Sequence, residues 1–188
     1  KMLLASLLGG VQSLIALFPP LPFFFNIPMP ERKKWIQNEV NNYIEKMKMS
    51  ITFDSRSENE GLARVVVAAF MAPMDPTMEE LSDVKTAVSE AVTNAIIHGY
   101  EGGQGKVTLR GKICHNRIEL QVEDQGVGIP DVEKAMEPLF TTRPELDRSG
   151  MGFAFMEAFM DELAVESGEG KGTLVRMKKT IYSAYDGR

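Results

Sequence analysis

The sequence predicts a fold that mixes helices and strands, on three observations. Val107 to Ile113 and Arg117 to Glu123 each alternate apolar and polar side chains, and the short link Cys114-His115-Asn116 makes them an antiparallel hairpin. Val84, Val88, Ala91, Val92, Ala95 and Ile96 recur at the spacing of one helix face. From Met49 onward, strand-like and helix-like patterns follow one another regularly as far as Lys179.

A chain of 188 residues is long enough for one domain with a real core plus an appendage. The net charge of -5 and pI of about 5.2 give no basic footprint for nucleic acid. A lone cysteine, Cys114, cannot close an internal disulfide and fits a reducing compartment, so a cytoplasmic location is expected. His98 and His115 lie on different elements, which argues against a His-rich metal site.

The first 48 residues differ from the rest. Met2 to Phe18 is apolar and uncharged, and Pro19, Pro20, Pro22, Pro28 and Pro30 follow, interleaved with Phe23, Phe24 and Phe25. Three readings stay open: a signal or membrane anchor, a disordered extension, or upstream sequence foreign to the natural protein. The apolar run is at the short edge of the about 20 residues that a span requires, and no small-residue cleavage site closes it. Glu31 to Lys48 is charged and can be helical, with Trp35, Ile36, Val40, Ile44 and Met47 as a weak stripe. The expected division is an extension over 1–48, with the natural start at Met47 or Met49, a core domain over 49–180 and a frayed tail over 181–188. No membrane association is expected of the core.

Within the core, Ser50 to Asp54 reads as a strand with Ile51 and Phe53 on one face. Ser57 or Glu58 opens a helix whose apolar residues are Leu62, Val65, Val66, Ala69 and Phe70. Thr77-Met78-Glu79-Glu80 matches a capping box, and a long helix runs from it to His98, stopped by Gly99. Asp131 to Glu137 is a short helix ended by Pro138. Gly150-Met151-Gly152 opens a helix to about Asp161, and two strands follow, Leu163 to Glu166 and Thr173 to Lys179, joined by a turn over Ser167 to Gly172.

Three segments have chemical potential. Glu90, Asn94 and His98 step along the long helix four at a time, off its apolar stripe. A carboxylate can accept a proton and an amide oxygen one turn on can ligate a hard cation such as Mg2+. A solvated helix face explains the same spacing, and His98 reads more simply as a residue beside the C-terminal end of the helix dipole. Asp124-x-Gly126-x-Gly128 leaves a strand end, where glycines permit close backbone approach and an acceptor-only carboxylate can take a hydrogen bond from an adenine amino group. A plain Gly-rich turn accounts for it equally well. Ser149-Gly150-Met151-Gly152 offers backbone N–H groups and a positive dipole end to a phosphate, with Arg143 and Arg148 in the polar loop before it. As a plain surface, each arginine is only charge. No phosphate-binding loop of the G-x-x-x-x-G-K-[ST] type is present.

Taken together, the E-x-x-x-N helix, D-x-G-x-G, the loop, G-x-G opening a helix and a late Gly172-Thr173 resemble the histidine-kinase-like ATPases, also called GHKL or Bergerat-fold ATPases. Within that superfamily, RSENEGLARVVVAAF, MDPTMEELSDVKTAVSEAVTNAIIHGYE and PLFTTRPELDRSGMGFAFMEAFMDEL are similar to the anti-sigma serine kinases of endospore-forming bacteria. The resemblance covers about Met49 to Lys179. It implies a two-layer α/β (α+β) sandwich, with a mixed, mostly antiparallel sheet covered by helices on one face. It implies ATP and Mg2+ as cofactors, Glu90 as catalytic base and Asn94 as Mg2+ ligand. The nucleotide would be held by Asn94, Asp124, Gly126, Gly128, Thr141, Thr142, Arg143, Arg148, Ser149, Gly150, Met151, Gly152 and Thr173. It further implies a homodimer that holds a sporulation sigma factor, sigma F, and phosphorylates an anti-anti-sigma protein on serine, with Glu60 and Arg64 contacting partners.

Rival readings are separable. A sensor histidine kinase needs an upstream phosphoacceptor histidine, and residues 1–89 hold none. A sister kinase of a stress response has the same chemistry. A module that binds nucleotide and sigma without catalysis differs in one respect: it transfers no phosphate.

Overall fold

The computed structural model describes residues 28–44, 47–137 and 151–182. The chain divides into two units, 1–45 and 46–188. In the first, helix α1 spans Met29–Ile44, beginning with Arg32 N–H donating to the Pro28 carbonyl at 2.9 Å. No helix among the described residues is long and apolar enough to cross a membrane.

The second unit is a two-layer α+β sandwich. Its strands are β1 (Lys48–Asp54), β2 (Lys106–Cys114), β3 (Arg117–Asp124), β4 (Glu162–Ser167) and β5 (Thr173–Thr180), in the sheet order β1-β2-β3-β5-β4. All the pairings are antiparallel, so the described sheet contains none of the parallel pairs expected of a mixed one. The reason lies in β5, which folds back beside β3 and separates it from β4, the strand that runs parallel to it. The β2–β3 hairpin turns on His115 and Asn116, with His115 in the left-handed region at φ 57°.

Alternation sets the two faces of the sheet. Phe53, Val107, Leu109, Ile113, Ile118, Leu120, Val122, Val175 and Met177 are buried toward the helices. The opposite face is wet and charged, laced by ion pairs such as Arg110–Glu123, Arg117–Glu162 and Lys178–Glu162. Exposed pairs of this kind contribute little to stability, but opposite charges on neighbouring strands help fix register.

Helix α2 (Glu58–Met71) ends in a short 3-10 turn, Ala72–Met74, and packs on β1, β2 and the long helix α3 (Met78–Asn94). Its buried residues are Ala63, Val67, Phe70 and Met71. Of the stripe expected from spacing, Phe70 alone is buried, while Leu62 and Val65 are 42% and 67% exposed. The run Val65 to Met71 offers apolar residues all round the helix, and the sheet takes the face led by small Ala63, where the backbone can come close.

Helix α3 begins with a complete capping box: Thr77 accepts from Glu80 N–H, and the Glu80 carboxylate accepts from Thr77 N–H at 2.8 Å. Val84, Ala87, Val88, Ala91 and Val92 form its buried face. It packs on β3 and on α5 (Gly152–Phe159), which follows the short α4 (Val132–Ala135). Lys179 on β5 joins three elements, pairing with Asp83 of α3 at 3.1 Å and donating to the Phe159 carbonyl at 2.7 Å, at the end of α5. Lys179→Met leaves Asp83 and that carbonyl without this partner in a half-buried position. It is expected to cost about 1–3 kcal/mol, read as a lower urea midpoint. An unchanged midpoint would show that water replaces the ammonium without loss.

Ile181, at the start of the expected frayed tail, is buried, and Tyr182 N–H donates to Glu80 Oε1 at 2.7 Å. The remaining tail residues, 183–188, lie outside the described residues.

Candidate functional site

The α3 helix does not run on unchanged to His98. After Asn94 it widens into a π turn, Ala95–Gly99, closed by Tyr100 N–H on the Ala95 carbonyl at 3.1 Å. Such turns often occur at functional sites. Here the Gly99 carbonyl accepts from Val127 N–H at 2.8 Å, so the helix end is tied to the loop leaving β3.

That loop is Asp124 to Pro130. At Gly126 a Cβ would sit 1.9 Å from the Gly99 carbonyl oxygen, so glycine is the only residue that lets the two backbones meet. Gly128 has φ +74° and lies against Gly168 with equally little room. Tyr100 fastens the same loop from the side, accepting from Gln125 N–H at 2.8 Å and donating to the Lys106 carbonyl at 2.6 Å.

Asp124 is the one buried charged or polar side chain among the described residues, 5% exposed. Its Oδ1 accepts from Gly126 N–H at 2.9 Å, and Thr173 N–H, facing it across the β3–β5 pair, donates to the carboxylate too. Burial pushes the carboxyl above the ordinary carboxylate range, against the pull of those two N–H groups.

A cleft of about 530 Å³ opens beside it, lined among others by Asn94, His98, Asp124, Gly128, Gly152 and Thr173. Its floor is apolar (Ala91, Ala95, Val122, Ile129, Val175) and its rim carries Glu101, Asp131, Lys134 and Glu169. This is the character of a small-molecule site, with few polar groups on apolar walls. Gly152 stands directly over the E-x-x-x-N face: a Cβ on it would lie 3.1 Å from Glu90 Oε2 and 3.3 Å from Asn94 Nδ2. Glu90, Asn94 and the start of α5 therefore meet at one edge of the cleft.

The residues singled out in the sequence fall into three groups. Glu90, Asn94, Asp124, Gly126, Gly128, Met151, Gly152 and Thr173 are described, and all but Met151 have the contacts given above. Thr141, Thr142, Arg143, Arg148, Ser149 and Gly150 lie outside the described residues. Glu60 and Arg64 are on α2, 3.7 Å apart as an ion pair, and Glu60 also accepts a hydrogen bond from Ser89, the neighbour of Glu90 on α3.

Sequence reasoning set one participant aside and missed two. His98, read as a residue beside the helix dipole, lies in the π turn and lines the cleft. Tyr100 and Ser167 hold the loops through hydroxyl bonds that have no sequence signature.

The family described as the histidine kinase-like ATPase domain matches residues 53–179. An anti-sigma F factor of Thermoanaerobacter sp. (strain X514) is 62% identical over 135 residues, covering 72% of this chain and 94% of its own length. The chain belongs to the anti-sigma F factors, within the histidine kinase-like ATPases. An anti-sigma F factor of Caldanaerobacter subterraneus is 60% identical over 143 residues, 76% of this chain and 96% of that protein. One of Clostridium perfringens (strain SM101) is 59% identical over 135 residues, covering 71% and 96%. Among solved structures, the RsbU and RsbW domains of a Mycobacterium tuberculosis protein share the fold, with a TM-score of 0.52 at 18% identity over 72% of this chain and 33% of that one. Membership of that family makes the chain a nucleotide-binding protein.

Proposed function

We propose that the chain is an anti-sigma factor and an ATP-dependent serine-protein kinase. It sequesters a sporulation sigma factor, sigma F, and phosphorylates the anti-anti-sigma antagonist of that factor on serine. The observation that carries the reading is the meeting of Glu90, Asn94 and Gly152 at the edge of a cleft whose wall holds buried Asp124.

The chain's own groups divide the work. Asp124 accepts from the adenine amino group, with Thr173 alongside. Gly126 and Gly128 let the loop close on Gly99 and Gly168, which fixes the wall that carries Asp124. Glu90 takes the proton from the attacking serine hydroxyl. No set of three or more His, Cys, Asp or Glu among the described residues forms a metal site. Asn94 would offer its amide oxygen to a Mg2+ ion here, which would neutralise phosphate charge and otherwise rely on non-protein oxygens, the usual habit of that ion. The absence of a Cβ on Gly152 beside Asn94 and Glu90 leaves room for that set. When bound, ATP and Mg2+ supply the phosphoryl group and neutralise its charge, and catalysis is mainly positioning. Arg143 and Arg148 are assigned to the terminal phosphate on the sequence alone.

Glu60 and Arg64 serve partner contact on α2 of a cytoplasmic homodimer. The bond from Ser89 to Glu60 supports this, since it joins that surface to the residue next to Glu90. The test is transfer of label from terminally labelled ATP to the anti-anti-sigma protein, together with sigma affinity measured with ATP and with ADP. Labelled antagonist and tighter sigma binding with ATP are expected. Sigma binding without any transfer would instead favour the non-catalytic module.

A further inference from the structure

Ser167, the last residue of β4, has a hydroxyl with one proton and two lone pairs. Ile129 N–H donates to it at 2.7 Å, and it donates to the Gly172 carbonyl at 2.8 Å. Thr173 Oγ1 lies 2.9 Å from the same oxygen. A carbonyl only accepts, so the single Ser167 proton is committed to Gly172. The Ser167–Thr173 bond then has one possible polarity, with Thr173 as donor.

The consequence falls on the cleft. Thr173 lines it, and with its proton turned to Ser167 its oxygen can only accept from a ligand. Asp124, paired with Thr173 in the β3–β5 register, is likewise an acceptor when ionised. We infer that Ser167 is a specificity-determining positioning residue: by holding the Thr173 proton it makes this wall acceptor-only, which selects a purine with a donor at position 6 over one with a carbonyl there. A hydrogen-bonding site rejects a mismatched analogue because its buried polar groups are left unpaired. The inference rests on the nucleotide reading above and adds to it how the base is chosen.

The experiment measures ATP and ITP binding to the whole chain by calorimetry. The parent chain is expected to prefer ATP. Ser167→Ala frees Thr173 to donate, so the ATP-to-ITP affinity ratio is expected to narrow by about tenfold, the worth of one hydrogen bond. Ser167→Thr keeps the hydroxyl and is expected to keep the ratio. On a Thr173→Val background, Ser167→Ala is expected to leave the ratio where Thr173→Val alone sets it, since no hydroxyl remains to turn. Should Ser167→Ala fail to fold, Ser167→Cys, with its weakly bonding thiol, takes its place. Equal weakening of both nucleotides would reduce Ser167 to a purely structural role and overturn the inference, as would a narrowing that persists with Val at 173. A parent chain that binds ATP and ITP alike also overturns it while leaving the nucleotide reading intact. A chain that binds neither removes both.

Discussion

Glu90→Gln is expected to slow phosphoryl transfer to the antagonist by about 10²- to 10⁴-fold, the usual worth of a general base. The substitution is nearly isosteric and keeps a group of the same shape beside Gly152, 3.1 Å from its Cβ position, but an amide does not take a proton at neutral pH. ATP affinity is expected to stay close to that of the parent chain, because the nucleotide contacts proposed above are assigned to Asn94 and Asp124. Single-turnover transfer and calorimetry separate the two effects. Asn94→Ala is the informative contrast: it removes the oxygen assigned to Mg2+, so its loss is expected in Mg2+-dependent binding as well as in rate. If Glu90→Gln lost binding and transfer equally, the carboxylate would be holding the α3–α5 contact rather than acting as base.

Much of this site was legible because its parts are local. The spacing of Glu90 and Asn94 is a property of one helix, and helical geometry places them on one face whatever packs against it. Strand alternation fixed β2 and β3 to within a residue at each end, since a shift of one would turn Leu109 and Val122 to water. What could not be read was tertiary. In α2, Leu62 and Val65 fit a helical stripe as well as Ala63 and Val67 do, and the choice is made by the sheet beneath. The π turn after Asn94 ends where the Gly99 carbonyl bonds to Val127, a contact between segments that no local pattern couples. Ser167 reads as an ordinary turn residue until β5 comes back beside β3 and sets Thr173 against both Asp124 and the serine.

Asp124→Asn is expected to weaken ATP and ADP about 10- to 100-fold, the worth of a hydrogen bond to a charged group. An ionised carboxylate accepts at both oxygens, and here Gly126 and Thr173 N–H groups already point at it. An asparagine must turn its NH₂ toward one of these or toward the base. The same residue predicts a pH dependence. Burial raises its carboxyl above the ordinary value, so over the window between the two values the folded chain holds a proton that the unfolded chain has released. The contribution of Asp124 to the stability of the nucleotide-free chain therefore falls as pH rises through that window, and the ionised group is a cost at neutral pH. Adenine binding runs the other way. The amino group bonds more strongly to the charged form, so affinity is expected to fall as pH drops through the raised value, at a higher pH than an ordinary carboxylate would set. In Asp124→Asn the contribution of this group to both dependences is expected to vanish while the fold remains, because the amide does not titrate. Calorimetric titrations of ADP over a pH series, on the parent chain and on Asp124→Asn, test this together with the loss in affinity. A parent affinity that stays flat on acidification, or a variant that binds as tightly as the parent, would mean that the base is read by groups other than Asp124.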